Sequence, residues 1–144
     1  MNIPVATSLN GKDLILSTHP LSCGVVGTYS RESGNLSVKA ADLVIFVGSE
    51  TSSMTTHFWT VPNEKSRVIQ IDLEAENLGR NYLLEVAIQE DAKANLERMN
   101  ALESPLTIRY PTDCLEHVWT LEGDADFVGE VKVPANRIHH DRRT

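Results

Sequence analysis

Leu43-Val44-Ile45-Phe46-Val47 is apolar without a break and ends at Gly48. Continuous rather than alternating hydrophobicity predicts a parallel strand covered on both faces, here over residues 42–48. Arg67-Val68-Ile69-Gln70-Ile71-Asp72 predicts a second, β-branched strand, and residues 85–88 a shorter third. Upstream, the β-branched Ile3, Val5 and Thr7 make residues 3–7 a buried strand that opens into the loop Ser8-Leu9-Asn10-Gly11-Lys12.

Helical segments lie between these strands. Ser30 is a candidate cap for a helix running through Val38 to about residue 41, with Gly34 weakening it by roughly 1 kcal/mol relative to alanine. A short helix is expected over residues 53–59, before Pro62. From Asp91, the spacing of Ala92, Leu96, Met99 and Leu102 marks one face of a longer helix. Residues 13–27, with His19-Pro20 and Gly24-Val25-Val26-Gly27, show turn formers without a period and read as mostly irregular.

Strand, crossover, strand, crossover, strand, helix is the rhythm of a parallel α/β sheet. On such sheets, ligands bind beyond the carboxyl ends of the strands, which here are residues 8–12, 48–52 and 72–76. The rhythm stops after residue 103. Residues 104–144 carry three short β-like stretches, 106–110, 116–121 and 127–133, separated by turn formers, and end in a polar segment expected to fray. Residues 1–103 are thus expected to form the α/β domain and residues 104–144 a β-rich tail that completes or extends the sheet.

Composition narrows the function. The 144 residues suit one domain. Twenty acids against thirteen bases leave a net charge of -7 with no cluster of Lys and Arg, which argues against nucleic acid and anionic lipid as partners. No apolar run approaches the roughly 20 residues of a membrane span. Cys23 and Cys114 are far apart and belong to no Cys-x-x-Cys pair, so free thiols and a cytoplasmic location are expected.

The candidate chemistry is sparse. Asp72 and Glu74 at a strand end suit ribose hydroxyls, or equally the capping of the next turn. Gly24-Val25-Val26-Gly27 can offer backbone N–H groups to a phosphate, but a lone Gly-x-x-Gly is weak evidence and a tight turn is the better reading. His57 is a base or ligand in isolation, but no carboxylate or nucleophile has a diagnostic spacing to it, and packing beside Phe58 and Trp59 is the better reading. His139-His140-Asp141 lies in the terminal segment, where a metal site would lack a rigid surround. Cys23 and Cys114 read as buried structural thiols.

Seven motifs in order carry a family resemblance: residues 3–12, Thr18-His19-Pro20-Leu21, Gly24-Val25-Val26-Gly27, residues 41–48, residues 68–74, Leu78-Gly79-Arg80-Asn81 and Gln89-Glu90-Asp91-Ala92-Lys93. Residues 1–102 resemble the central domain of thiamine diphosphate-dependent enzymes of the acetolactate synthase and pyruvate oxidase type. The resemblance implies a Rossmann-like parallel sheet flanked by helices. It also implies that the strand and helix which open this domain in the family are missing ahead of residue 3. That strand lies mid-sheet, so a strand from the tail or from a second copy of the chain is expected to cover the gap.

The resemblance further implies thiamine diphosphate and magnesium in the complete enzyme, held by an N-terminal domain with an activating glutamate and a C-terminal domain with a Gly-Asp-Gly motif. Here Gly123-Asp124 is followed by Ala125. This chain alone is therefore expected not to bind that cofactor. Relatives can bind FAD or ADP through the central domain, and the matching positions are Ser8, Leu9, Asn10, His19, Gly24, Gly27, Gly48, Ser49, Asp72 and Glu74. Glu50 stands where acetolactate synthases carry an arginine, which is unfavourable beside a diphosphate.

The expectation is a central-domain homologue or fragment of an acetolactate synthase-like enzyme, non-catalytic alone. Its partners would be further copies of itself or cofactor-binding domains on separate chains. A nucleotide-binding or regulatory module is the rival from another class. A truncated reading frame with its tail out of the ancestral frame is the third.

Overall fold

The computed structural model describes residues 3–30 and 32–101. The expected tail strands, Cys114, the Gly123-Asp124 pair and the His139-His140-Asp141 cluster lie outside the described residues. The elements are β1 (Val5–Thr7), a 3-10 turn (Lys12–Leu14), β2 (Ser22–Val25), α1 (Glu32–Ala40), β3 (Leu43–Val47), β4 (Arg67–Asp72), a second 3-10 turn (Ala75–Asn77), β5 (Val86–Gln89) and α2 (Ala92–Ala101).

Every strand pairing among these elements is parallel. The strands form two sheets: β1-β2, and β3-β4-β5 in that order. Parallel strands flanked by helices are the Rossmann-like architecture expected from the rhythm of the sequence. The division into two sheets is a finding that the hydrophobic pattern does not contain. β4 is the buried centre of the larger sheet, with Ile71 fully buried and Val68, Gln70 and Asp72 close to it.

Four local expectations need correction. On α2, Leu96 of the expected apolar face is exposed and Asn95 is the buried residue, its Nδ2 donating to Glu90 Oε2 at 2.7 Å, while Leu102 lies outside the described residues. Residues 22–25 are a strand, although they read as irregular; Gly24 at φ +79° and a register shift between Val5 and Ala6 hide the pattern. Residues 43–46 are half-buried and Val47 is exposed, whereas continuous hydrophobicity predicts cover on both faces. Residues 53–59 form turns and no helix, because the side chain of Thr56 enters the backbone hydrogen bonding. Its Oγ1 donates to Ser52 O (2.8 Å) and accepts from Trp59 N–H (3.1 Å), while Thr56 O receives both Thr60 N–H and Val61 N–H. His57, Phe58 and Trp59 consequently take left-handed φ values of 47°, 55° and 59°. For L residues that conformation costs roughly 1–2 kcal/mol each.

Glycine at two positions permits close approach. A Cβ on Gly34 of α1 would stand 2.1 Å from Val25 O of β2. A Cβ on Gly27 would stand 2.2 Å from Met54 O, and the neighbouring Thr28 N–H donates to that same oxygen at 2.8 Å. This second contact joins the carboxyl end of β2 to the loop after β3, so the two sheets meet there without a ladder.

Candidate functional site: the carboxyl ends of the strands

The loops after β3 and β4 are built around Gln70, which is 1% exposed. Its Nε2 donates to Ser49 O and to Asn77 O, both at 2.9 Å, and its Oε1 accepts Gly79 N–H at 3.1 Å. One side chain on β4 thereby fixes three loop positions. Asn81 adds a second tie, its Nδ2 donating to Glu50 O, Thr51 O and Thr51 Oγ1. Tyr82 stacks on Phe46 with ring centroids 5.5 Å apart and donates its hydroxyl to Val61 O. Burial raises the Tyr82 phenol above its ordinary pKa, with a hydrogen bond to Thr56 opposing it. Residues 78–84 with Ala87 line an open concavity of about 540 Å³ beside this network.

The structure groups some of the candidate positions and separates others. Gly48 and Ser49 follow β3 and sit beside Asp72 at the end of β4, with Gln70 bridging the loops. Ser8, Leu9 and Asn10 follow β1, and Gly24 and Gly27 lie in and after β2, all on the other sheet. His19 stands before β2, on the side where that strand begins, and its Nδ1 accepts Leu21 N–H. Leu9, Asn10 and Glu74 are exposed.

The polar groups at these positions are engaged within the chain itself. Asp72, buried to 6% exposure, accepts Glu74 N–H at 2.9 Å and Asn77 Nδ2 at 3.3 Å through Oδ1, which closes the 3-10 turn. Gly27 N–H donates to Asn35 Oδ1 at 2.8 Å, and Gly48 N–H donates to Ile71 O. Ser8 Oγ accepts Gly11 N–H, and Ser49 Oγ accepts Thr51 N–H. A diphosphate needs converging free N–H donors. The amides of Gly27 and Gly48 do not fit that need, and Glu50 is exposed on the same loop as Gly48. For magnesium and the thiamine diphosphate it would anchor, the described residues contain no cluster of three or more His, Cys, Asp or Glu.

Asp72 therefore acts on the turn. Asp72→Ala is expected to lower the free energy of unfolding by about 1–2 kcal/mol, the cost of removing a side-chain cap and leaving its donors unmet. Urea unfolding with and without millimolar ADP checks this: the same loss in both conditions supports a capping role, whereas an ADP-dependent difference assigns the carboxylate to the nucleotide.

Two other candidates resolve plainly. His57 is exposed and lies edge-on to Phe58 with centroids 6.3 Å apart. Cys23 is 2% exposed and unpaired; burial pushes its thiol above the ordinary range, against lesser lowering from Ser37 and the Val5 backbone. A buried, protonated thiol is a structural one. Sequence reasoning missed Gln70 and Asn81. The signal available for Gln70 is a lone amide within a β-branched strand, where a polar side chain must find partners when buried. Among the described residues, no helix is long and apolar enough to cross a membrane.

Comparison with known proteins gives this geometry its context. The family model described as "Thiamine pyrophosphate enzyme, central domain" matches residues 1–99. The chain is 30% identical over 122 residues to a probable acetolactate synthase large subunit of Methanocaldococcus jannaschii, covering 85% of this chain and 21% of that protein. It is 26% identical over 119 residues to the acetolactate synthase isozyme 3 large subunit of Escherichia coli K12, covering 83% of this chain and 21% of that protein. It is 27% identical over 149 residues to glyoxylate carboligase of Escherichia coli O157:H7, covering 97% of this chain and 25% of that protein. The chain thus spans about a quarter or less of the length of these relatives. A 97% share cannot be reached by residues 1–103 alone, so the similarity continues into residues 104–144 and argues against an out-of-frame tail. The parallel strands, the ordered motifs and the match over residues 1–99 together make this chain a member of the thiamine pyrophosphate enzyme family, corresponding to its central domain.

Proposed function

We propose that this chain serves as the central, non-catalytic domain of an acetolactate synthase-like thiamine diphosphate enzyme, one that decarboxylates a 2-oxo acid and joins the product to a second carbonyl compound. The match of residues 1–99 to the central domain carries this reading. Thiamine diphosphate, when bound in the assembled enzyme, supplies the electron sink for decarboxylation and carboligation, and magnesium anchors its diphosphate. The chain's own contribution is positional. Gln70, Asp72 and Asn81 hold the loops after β3 and β4 in one arrangement, and a domain whose loops are fixed can hold its neighbours in register. Thiamine diphosphate-binding domains within the same assembly are its natural partners.

The internal use of the Gly27, Gly48 and Asp72 groups disfavours a free-standing FAD or ADP module. The test is direct. The purified chain, incubated with pyruvate, thiamine diphosphate and magnesium, is expected to release no CO2 and form no acetolactate while unfolding cooperatively on heating. Turnover above a buffer control would overturn the proposal.

A further inference from the structure

Asn10 is the one asparagine of this sequence that a glycine follows. Asparagine is a chemically labile residue. It is most labile before glycine, which has no side chain to obstruct attack of its amide nitrogen on the asparagine carboxamide. Within a fold the reaction needs two further things: a carboxamide free to turn, and a peptide nitrogen able to lose its proton.

The structure sets Asn10 apart on the first. The carboxamides of Asn35, Asn63, Asn77, Asn81 and Asn95 are tied down. Asn35 bonds to Gly27 through both of its polar atoms, and Asn63 Oδ1 accepts Lys65 N–H. The Nδ2 groups of Asn77, Asn81 and Asn95 donate to Asp72, Thr51 and Glu90. Asn10 is exposed in the loop after β1, and its carboxamide has no hydrogen-bond partner among the described residues.

Ser8 governs the second. The Gly11 N–H is shared between Ser8 O at 3.0 Å and Ser8 Oγ at 3.1 Å. A proton held by two acceptors is harder to remove, so the Ser8 hydroxyl slows the reaction without preventing it. Gly11 also fits closely here, since a Cβ on it would stand 3.2 Å from Ser8 Oγ and 3.2 Å from Leu14 Cδ1.

We propose that Asn10-Gly11 is a self-modification site whose pace the Ser8 hydroxyl sets. The Gly11 nitrogen gives up its proton and bonds to Asn10 Cγ, the Cγ–Nδ2 bond breaks, and the nitrogen leaves as ammonia. Water then opens the resulting cyclic imide at either carbonyl, so that one water is consumed and one ammonia released with no oxidant or reductant. Both products, aspartate and isoaspartate, add one negative charge to the net -7. Isoaspartate also inserts a methylene into the main chain, which is expected to break the Ser8–Gly11 turn and the Leu14 N–H bond to Gly11 O that follows it. The loop at the carboxyl end of β1 thereby carries a slow, one-way change.

Incubation of the full chain in mildly alkaline buffer, followed by proteolytic mapping with mass spectrometry, tests this. Conversion is expected at Asn10 ahead of every other asparagine in residues 3–101, and more slowly than in a synthetic peptide of residues 5–15. Ser8→Ala should speed it about two- to tenfold, the worth of one hydrogen bond read as a rate. Ser8→Thr keeps a hydroxyl and should hold the parent rate, while Gly11→Ala should abolish conversion on the same time scale. An unconverted Asn10 once the peptide is spent, or earlier conversion at another asparagine, overturns the site. A folded Ser8→Ala variant no faster than the parent chain overturns the role of Ser8. Should that variant unfold, equal rates in the parent chain and the peptide do so instead.

Discussion

Gly34→Ala is expected to lower the unfolding midpoint by roughly 10–20 °C, corresponding to about 3 kcal/mol in a domain of this size. Local propensity predicts the opposite sign, since alanine in a helix interior is favoured over glycine by about 1 kcal/mol. The difference lies in where α1 rests. The added Cβ would stand 2.1 Å from Val25 O and 2.7 Å from Val25 C, both backbone atoms of β2, which have no rotamer through which to yield. The helix must move off the strand, and the buried Ser33 and Cys23 lose their surroundings with it. Gly48→Ala provides the contrast. Its Cβ would meet nothing within 4 Å, so only the left-handed φ of 57° opposes it, at roughly 1–2 kcal/mol. Thermal unfolding followed by circular dichroism compares the two variants. A midpoint for Gly34→Ala at or above that of the parent chain would show that the helix and strand are not in contact there.

Gln70→Leu is expected to cost about 2–4 kcal/mol, although leucine suits a β-rich, buried position by hydrophobicity. The substitution leaves Ser49 O, Asn77 O and Gly79 N–H without their shared partner. A fully buried group so orphaned costs about 1–3 kcal/mol; Ser49 and Asn77 are half-buried, and the exposed Gly79 recovers part of its loss from water. Urea unfolding measures the total, and faster exchange at Gly79 N–H locates it. Gln70→Glu separates hydrogen bonding from volume. A carboxylate keeps the acceptor for Gly79 N–H but faces two carbonyl oxygens, so the folded state favours the protonated acid and raises its pKa. The stability of that variant is then greatest below the unfolded carboxyl pKa of about 4.3 and is lost as pH rises through the raised folded value. A variant whose stability does not fall with rising pH relative to the parent chain would remove Gln70 from the centre of these loops.

Much of the fold is legible in the sequence. β3, β4 and β5 follow from runs of apolar and β-branched residues, and α2 from a segment of good helix formers; burial follows the pattern in β4 but not in α2, where Leu96 is exposed and Asn95 is buried. The ordered motifs sufficed for the family. The segment around Thr56 was illegible for a local reason: a threonine hydroxyl that replaces a helical hydrogen bond looks, as a letter, like any other threonine.

The candidate positions divide on the same line. Their placement after β1, β3 and β4 was visible, since strand ends can be counted along the chain. Their use was not. Asp72 can face a ribose or cap its own turn, and only the position of Asn77 and of the Glu74 N–H shows that it does the second. Gln70 reaches partners at residues 49, 77 and 79, separations that no periodicity encodes.

The amino-acid sequence by itself determined the parallel α/β class, the family and the order of the elements apart from β2 and the turns of residues 53–59, because these rest on hydrophobic period and on motifs read within a few residues of one another. Tertiary structure alone decided that the described strands fall into two sheets, that Gly34 is required where propensity counts it a defect, and that the strand-end polar groups close on themselves. Each of these depends on which backbone atoms arrive from distant parts of the chain, and neither propensity nor composition carries that information.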